Sequence, residues 1–544
     1  MDTDVVVVGG GAAGLRAAIE ARRFSVSVTL LSKANIPSGS SSIAMGLAQA
    51  AYIPEDSPDE HFRDTISGGK LLSNQRLVRI LTSEARERVL ELAKFGTALV
   101  TKNGKLKTLP MGGSTHPRSI ATKDPYAGGF VQGLTMEASR VGVQSLDRVM
   151  VVSLLKNLQS VAGVIALNLR TGQLLVLKAG ATVLATGGGS QVFPLTTNTS
   201  ESTGDGYAMA YEAGATLQDM EFVQFRATIV HPPRLRGLPP PGDGLGALGG
   251  RFYNAQGERY MKKYDPEKVE NVTRDQIAIR SYKEIKDGLG TIHNAVYNDL
   301  SGVPSEELER YQNFMRLCKA EGIDPKWQPL EWAPGAHFFM GGVRINERCE
   351  TSVLGLYAAG EVTGGVHGAN RLAGNSLTET LVFGSRAGRY AAEHSKKISN
   401  LEIEMEQVEC HKRRIASIVQ EQSQYDWKAL REEIHDIMWS CAGVVRTGDE
   451  LSRGLKALER IQSINSPNIR ASDKSEIMKA LETQFLARTA VMTVRSALER
   501  TESRGAHFRQ DHARMDERWM KNVCLCDGPS GMRVWTEAVK YENE

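Results

Sequence analysis

Gly9, Gly11 and Gly14 stand in the spacing G-x-G-x-x-G, directly after the apolar run Val5–Val8 and directly before a helical stretch from Leu15 to Ala21. Glycines at these positions permit a tight turn and the close approach of a pyrophosphate, whose charge is met by free N–H groups at the helix start. The spacing alone is a weak signal, but a strand before it and a helix after it make a dinucleotide site, with Ala12 and Ala13 among the contacts. The acidic residue that ordinarily closes the second strand and holds a ribose hydroxyl is missing, because Leu30-Leu31 is followed by Ser32-Lys33. This speaks against a simple nicotinamide enzyme and leaves Ser32 as the ribose partner. Two later turns add cofactor grip: Ala185-Thr186-Gly187, and Ser202 to Gly206, where Asp205 is either a cofactor carboxylate or an ordinary turn residue.

A second glycine-rich stretch, Gly364 to Gly374, leads through Asn375, Ser376 and Leu377 into another helix, and Ser376-x-x-Glu379 predicts a capping box at its start. The positive end of such a helix suits a ring that gains negative charge on reduction at its N1 and C2 carbonyl, which favours flavin over nicotinamide. The six cysteines, Cys318, Cys349, Cys410, Cys441, Cys524 and Cys526, lack the spacing that holds zinc or an iron–sulfur cluster. They read as packing thiols, so any single-electron exchange calls for a partner that carries the clusters.

The elements that must position these residues follow from the same stretches. Val5–Val8 suits a parallel strand buried on both faces, and Val26, Val28 and Leu30 alternate as a second strand. Ala181 to Gly189 and Leu354 to Glu361 repeat the strand-then-glycine pattern and return to the same sheet. From 226 to 335 the texture changes to a proline-rich loop followed by polar helical patterns, which reads as an inserted lid. From 401 onward helical spacing dominates, as in Ile477, Ala480, Leu481 and Phe485, and the residues from 501 on are polar. With 544 residues, 41% hydrophobic and 24% charged, the chain is long enough for several cores. Lys+Arg of 66 against Asp+Glu of 63 gives no field to recruit nucleic acid. No stretch approaches the roughly 20 apolar residues of a membrane span. Nothing at the N-terminus reads as a signal peptide, so a cytoplasmic protein is expected.

Gly9 to Gly14, Ser202 to Gly206 with Glu221-Phe222-Val223-Gln224-Phe225, His337 to Gly342, Gly355 to Leu377, and Glu502-Ser503-Arg504-Gly505-Ala506-His507-Phe508-Arg509 occur in a telling order. In that order the chain resembles the fumarate reductase and succinate dehydrogenase flavoprotein family, which includes the L-aspartate oxidases. The resemblance covers residues 1 to about 525, and its last two motifs are highly specific. It implies an α/β fold: a Rossmann-like FAD-binding domain (1–225 and 336–400) interrupted by an α+β capping domain (226–335). A helical domain (401–500) and a C-terminal segment (501–544) follow. Lys33, Ser40, Ser41, Gly46, Glu361 and Asn375 are further FAD contacts on this reading. Hydride passes between flavin N5 and a dicarboxylate carbon while an arginine, here Arg274, handles the proton. Arg371 matches the arginine that clamps a substrate carboxylate, and His337 a histidine that bonds the second.

Three departures accompany the resemblance. Arg226 stands where the family carries a histidine of a His-Pro-Thr motif. The family's Glu-x-x-Arg relay is reduced to Asp243-Gly244-Leu245-Gly246, leaving Asp243 as the surviving acid and Arg251 as the only arginine at hand. Ser41 occupies the position of the histidine that links FAD covalently in many members, so FAD is expected to be noncovalent. The leading expectation is the flavin subunit of a cytoplasmic fumarate reductase or succinate dehydrogenase-like enzyme, with a C4 dicarboxylate substrate and an iron–sulfur protein partner. The alternatives are an L-aspartate oxidase, a paralogue for another anionic substrate, and a flavin-bearing assembly protein, against which the retained Arg274, His337 and Arg371 argue.

Overall fold

The computed structural model describes residues 2–44, 46–123, 128–157, 160–240, 249–272, 274–309, 311–398, 401–419 and 424–541. Strand Asp2–Val8 lies between Val28–Ser32 and Leu174–Leu184, parallel to both, with Val5 opposite Val28 and Ala181. Its valines are at most 5% exposed, as a continuous apolar run requires of a strand covered on both faces. The second strand departs from its predicted alternation. All of Val28–Ser32 is buried, because the strand is itself interior, flanked on its far side by Gln144–Asp147.

Leu174–Leu184 serves two sets of partners. Its first half pairs antiparallel with Val161–Asn168, and its second half runs parallel to Asp2–Val8 and to Leu356–Ala358. The two predicted strand-then-glycine returns therefore do meet the first strand in one sheet. Helix Ala12–Arg23 leaves the first glycine turn and packs along helix Asn375–Ser395. A Cβ on Gly388 would stand 2.1 Å from Ala17 O, and one on Gly384 2.8 Å from Ala13 O, so the two helices touch backbone to backbone.

A second, antiparallel sheet has the order Val223–His231, Leu330–Phe339, Val296–Asp299, Arg251–Tyr253. The segment from 226 to 335 thus starts and ends in two paired strands, with Arg226 opposite Gly335. Helix Arg274–Glu284 packs on those two strands. Beyond residue 401 come helices Met405–Ile418, Trp427–Ala442, Gly448–Arg460 and the mostly buried Ile477–Glu499. The final residues are less independent than their polarity suggests. Strand Lys521–Cys526 pairs with Leu217–Gln218 and with Arg533–Ala538, and one hydrophobic cluster runs from Val5 to Leu525. Cys524 is buried on that strand, and burial pushes its thiol up to about 12, as expected of a packing residue.

A buried ionic centre ties this last segment to the rest. Arg500, fully buried, gives Nε to Glu221 at 2.6 Å and Nη1 to Glu502 at 3.1 Å, and lies over the Phe222 ring. Arg504 forks onto Glu502 through Nε at 2.6 Å and Nη2 at 2.9 Å. Next to it Gly505, at φ 53°, packs so closely on Ala369 that a Cβ would meet its carbonyl at 2.3 Å, while Ala506 N–H donates to that carbonyl. The Glu502–Arg509 motif is therefore a buttress for the loop that carries Asn370 and Arg371. Removing one member of a buried pair strands the other, at about 3 to 5 kcal/mol. Arg500→Met should accordingly lower the urea midpoint of unfolding by a clearly measurable margin, and an unchanged midpoint would contradict the role given to this centre.

Candidate active site

A single continuous cavity of about 2330 Å³ runs between the first sheet and the segment 226–335. Small-molecule sites commonly span about 300 to 1,000 Å³, so there is room for a dinucleotide and a second molecule. At one end its wall is formed by Gly9, Gly11, Ala12 and Ala13, then by Ser32, Lys33, Ser40 and Ser41, and by Ala185, Thr186, Gly187 and Asp205. Gly9 has φ 117°, and a Cβ there would meet Ala185 O at 2.2 Å. The turn therefore demands glycine. Gly11 opens helix Ala12–Arg23 with no side chain capping it. Gly374, at φ 89°, opens helix Asn375–Ser395 in the same uncapped way, and Ser376 and Leu377 line the cavity. Two bare helix N-termini thus face one space, one suited to a pyrophosphate and one to a ring that accepts negative charge. The residues present fit FAD.

Several predicted contacts lie elsewhere. Gly14 is off the wall: a Cβ would stand 1.9 Å from Gly9 O, so it serves the packing of helix against turn. Gly46, at φ 63°, packs on Thr122, although its neighbours Ala44 and Leu47 are on the wall. Asn375 turns away from the cavity and bonds His61 Nε2 at 2.8 Å and Thr65 Oγ1 at 3.1 Å. The predicted capping box does not form. Glu379 is buried and bonds His367 Nε2 at 2.9 Å, and Ser376 Oγ accepts from Arg371 at 3.3 Å. Asp243 lies outside the described residues. Arg251 is exposed on its strand and does not line the cavity. The Asp205 carboxylate is engaged by protein, with Oδ2 2.8 Å from Lys33 Nζ and Oδ1 2.5 Å from Thr203 Oγ1. Glu482, from the long C-terminal helix, meets the same ammonium at 2.8 Å, and together these carboxylates hold the half-buried Lys33 above its ordinary range.

The other end of the cavity gathers Arg226, Arg274, His337, Arg371 and the half-buried Glu361. Arg226 and His337 come from adjacent strands, Arg274 is the first residue of helix Arg274–Glu284, and Arg371 sits on the buttressed loop. Thr197 Oγ1 lies 2.7 Å from His337 Nδ1 and fixes the ring. Burial, then the charges of Arg226, Arg371 and Arg274, hold this imidazole well below the usual histidine range, hence neutral. Arg371, 5% exposed, donates to Leu372 O, Ser376 Oγ and Gln224 Oε1 and lies over the Phe338 ring at 4.5 Å. Its Nε has no partner among the described residues. Burial first, and repulsion from Arg274, lower it to about 9. Burial pushes Glu361 up to about 7, with the Phe339 N–H bonded to Oε1 at 3.0 Å. Two residues that hold the site in place, Thr197 and Gln224, are not evident from the sequence. Gln224 lies within one of the family motifs, but no local signal marks Thr197, which is 140 residues from its histidine.

The FAD binding domain model matches residues 4–377, and the fumarate reductase flavoprotein C-terminal model matches residues 431–544. The chain belongs to the fumarate reductase and succinate dehydrogenase flavoprotein family. It is an FAD-dependent oxidoreductase. Among relatives, it is 38% identical over 535 residues to a fumarate reductase (CoM/CoB) subunit of Methanothermobacter marburgensis, covering 96% of this chain and 97% of that one. It is 34% identical to an L-aspartate oxidase of Streptomyces coelicolor, over 96% and 91% of the two chains. A solved E. coli quinol fumarate reductase flavoprotein matches with a TM-score of 0.93 at 29% identity, over 100% of this chain and 98% of that chain. No helix among the described residues is long and apolar enough to cross a membrane.

Two expectations follow for this flavoprotein. Ser41 is on the wall, and the one histidine among the described wall residues, His337, stands at the arginine end. Mild acid should therefore release the FAD into the supernatant; yellow colour retained by the precipitated chain would refute this. His61 is buried, and burial lowers it to about 4 from 6.5. Between these values an unfolded chain binds a proton that the native one does not, so stability is lost as pH falls, by up to about 1.4 kcal/mol per pH unit for each such group. Glu361, pushed up to about 7, acts in the opposite direction, so the comparison must be between variants. Melting temperatures taken from pH 7.5 to 5 should fall less steeply for His61→Gln than for the wild type.

Proposed function

We propose that this chain is the flavin subunit of a fumarate reductase-type enzyme, acting on a C4 dicarboxylate and exchanging electrons with a separate iron–sulfur protein. The observation that carries the substrate class is the set of three arginines around a neutral His337. Such a set accommodates two carboxylates. L-aspartate would bring an ammonium among the same guanidinium groups, which sets the oxidase reading second even though relatives bear that name. The Methanothermobacter relative, named as one subunit of a CoM/CoB fumarate reductase, supports a multi-subunit enzyme. So does the spacing of the six cysteines, which suits no iron–sulfur cluster of the chain's own.

Bound FAD supplies a two-electron carrier that exchanges hydride with a carbon of the substrate. The chain's own residues bind, orient and handle the proton. Arg371 offers its unpartnered Nε–H to a carboxylate and is held in place by Gln224, Ser376 and Phe338. Neutral His337, its Nδ1 fixed by Thr197, offers Nε2 to the second carboxylate. Arg226 adds a third fixed charge where the family has histidine. Arg274 lies at the start of a helix on the inserted segment, which acts as a cap over the substrate and excludes water. Arg274 lines the cavity and lies close enough to Arg371 to lower it, which puts its guanidinium at the substrate end, where a proton donor is required.

Viologen-dependent fumarate reduction by the FAD-loaded chain tests the proposal, with L-aspartate oxidation as the competing assay. Arg371→Ala and Arg274→Ala should each retain FAD and lose at least two orders of magnitude in kcat/KM. Losing a buried charged contact in a dry pocket costs about 3 to 5 kcal/mol, and about 1.4 kcal/mol is tenfold. Arg226→His should keep fumarate activity. Near-normal turnover of Arg274→Ala would overturn the proton route, and activity with L-aspartate alone would overturn the substrate.

A further inference from the structure

Glu379 lies in the first turns of helix Asn375–Ser395, and its side chain is 1% exposed. A buried carboxylate in such a place usually meets an arginine or a lysine. Here Oε1 accepts from Thr363 Oγ1 at 3.1 Å, and Oε2 faces His367 Nε2 at 2.9 Å. His367 is also buried, and its Nδ1 has no partner among the described residues. The tautomer with hydrogen on Nε2 satisfies this geometry, whereas a second proton would leave a buried N–H aimed at no acceptor. The pair then carries one net negative charge.

Its location gives that charge a consequence. The N-terminal turn that Glu379 extends presents Ser376 and Leu377 to the cavity, and Thr380, the next residue, lines it too. The carboxylate is near enough to act electrostatically on the wall residues Glu361 and Arg371. His367 also packs edge-on against Phe338 at 5.4 Å, the ring over which Arg371 lies. A negative charge behind the helix start opposes the positive end of the helix, and reduction of a flavin places negative charge against that end.

We propose that the buried Glu379–His367 pair is a positioning element that sets the field at the bound FAD, offsetting part of the positive helix end and holding the reduction potential down. Neither residue of the pair lines the cavity, although His367 packs on the wall residue Phe338, and the charge acts through the helix start. Because the inference concerns FAD alone, it stands or falls independently of the substrate.

Spectroelectrochemical titration of the FAD-loaded protein, without substrate, provides the test. Glu379→Gln keeps the shape and removes the charge. It should raise the equilibrium constant for two-electron reduction of the flavin at least tenfold, a positive shift of about 30 mV. His367→Gln keeps the carboxylate and returns an amide donor to it, and should leave the potential much nearer to that of the wild type. An unmoved or more negative potential in Glu379→Gln overturns the proposal, as does an equal positive shift in His367→Gln, which would mark a packing effect. Glu379→Leu serves as a second neutral variant. If both neutral variants fail to retain FAD, the pair is a folding element and the proposal is likewise overturned.

Discussion

Helices Ala12–Arg23 and Asn375–Ser395 cross with backbone against backbone, Gly384 and Gly388 lying on Ala13 and Ala17. The rest of the site depends on this contact. Each helix begins at an uncapped glycine on the cavity wall. Close packing of the shafts fixes the distance between two positive ends that belong to segments far apart in the chain. A side chain at either glycine would separate the shafts and with them the two places where negative charge is received.

The buried arginines fall into two kinds. Arg118 is fully buried and held by Asp56 and Asp64, and Arg500 by Glu221 and Glu502. Their charges are neutralised inside the protein, and they join segments distant in sequence. Arg371 is buried too, but its hydrogen-bond partners are a carbonyl, a hydroxyl and an amide oxygen, with a phenyl ring beneath. Those neutral ligands fix its direction without cancelling its charge, and burial accordingly lowers its proton affinity. An anion that enters the cavity restores what the protein withholds. The two kinds cannot be told apart by residue type. They differ in what lies within hydrogen-bonding distance.

What can be read from the sequence follows the range of each interaction. The first glycine turn is legible because strand, turn and helix are consecutive, and the backbone constraint at Gly9 is local. The return strands are legible for the same reason. The capping box misleads because Ser376-x-x-Glu379 is a local pattern, while the actual partner of Glu379, His367, belongs to the loop before the helix. Asp205 is legible as special but not as the partner of Lys33 and, through it, of Glu482. The C-terminal strand Lys521–Cys526 is hidden by the polarity of its surroundings, since only Val523, Cys524 and Leu525 face the core. Arg274 and Arg371 carry no local sign of function and are legible only through the order of the motifs around them. Their convergence on His337 is a product of the fold.

Arg226 completes the charge logic of the site. A histidine at this place would share protons with His337, and the number of positive charges facing a dianion would vary with pH. Arginine at this place adds a charge that acts on His337. Its repulsion, added to burial and to that of the other two arginines, holds His337 neutral, so that its ring serves as a hydrogen-bond donor oriented by Thr197 and not as a further cation. The site thereby divides its tasks. Guanidinium groups supply the positive charge, and the neutral imidazole supplies direction at little electrostatic cost. On the proposed reading, the attraction of this pocket for two carboxylates is set by geometry on two paired strands, one buttressed loop and one helix start.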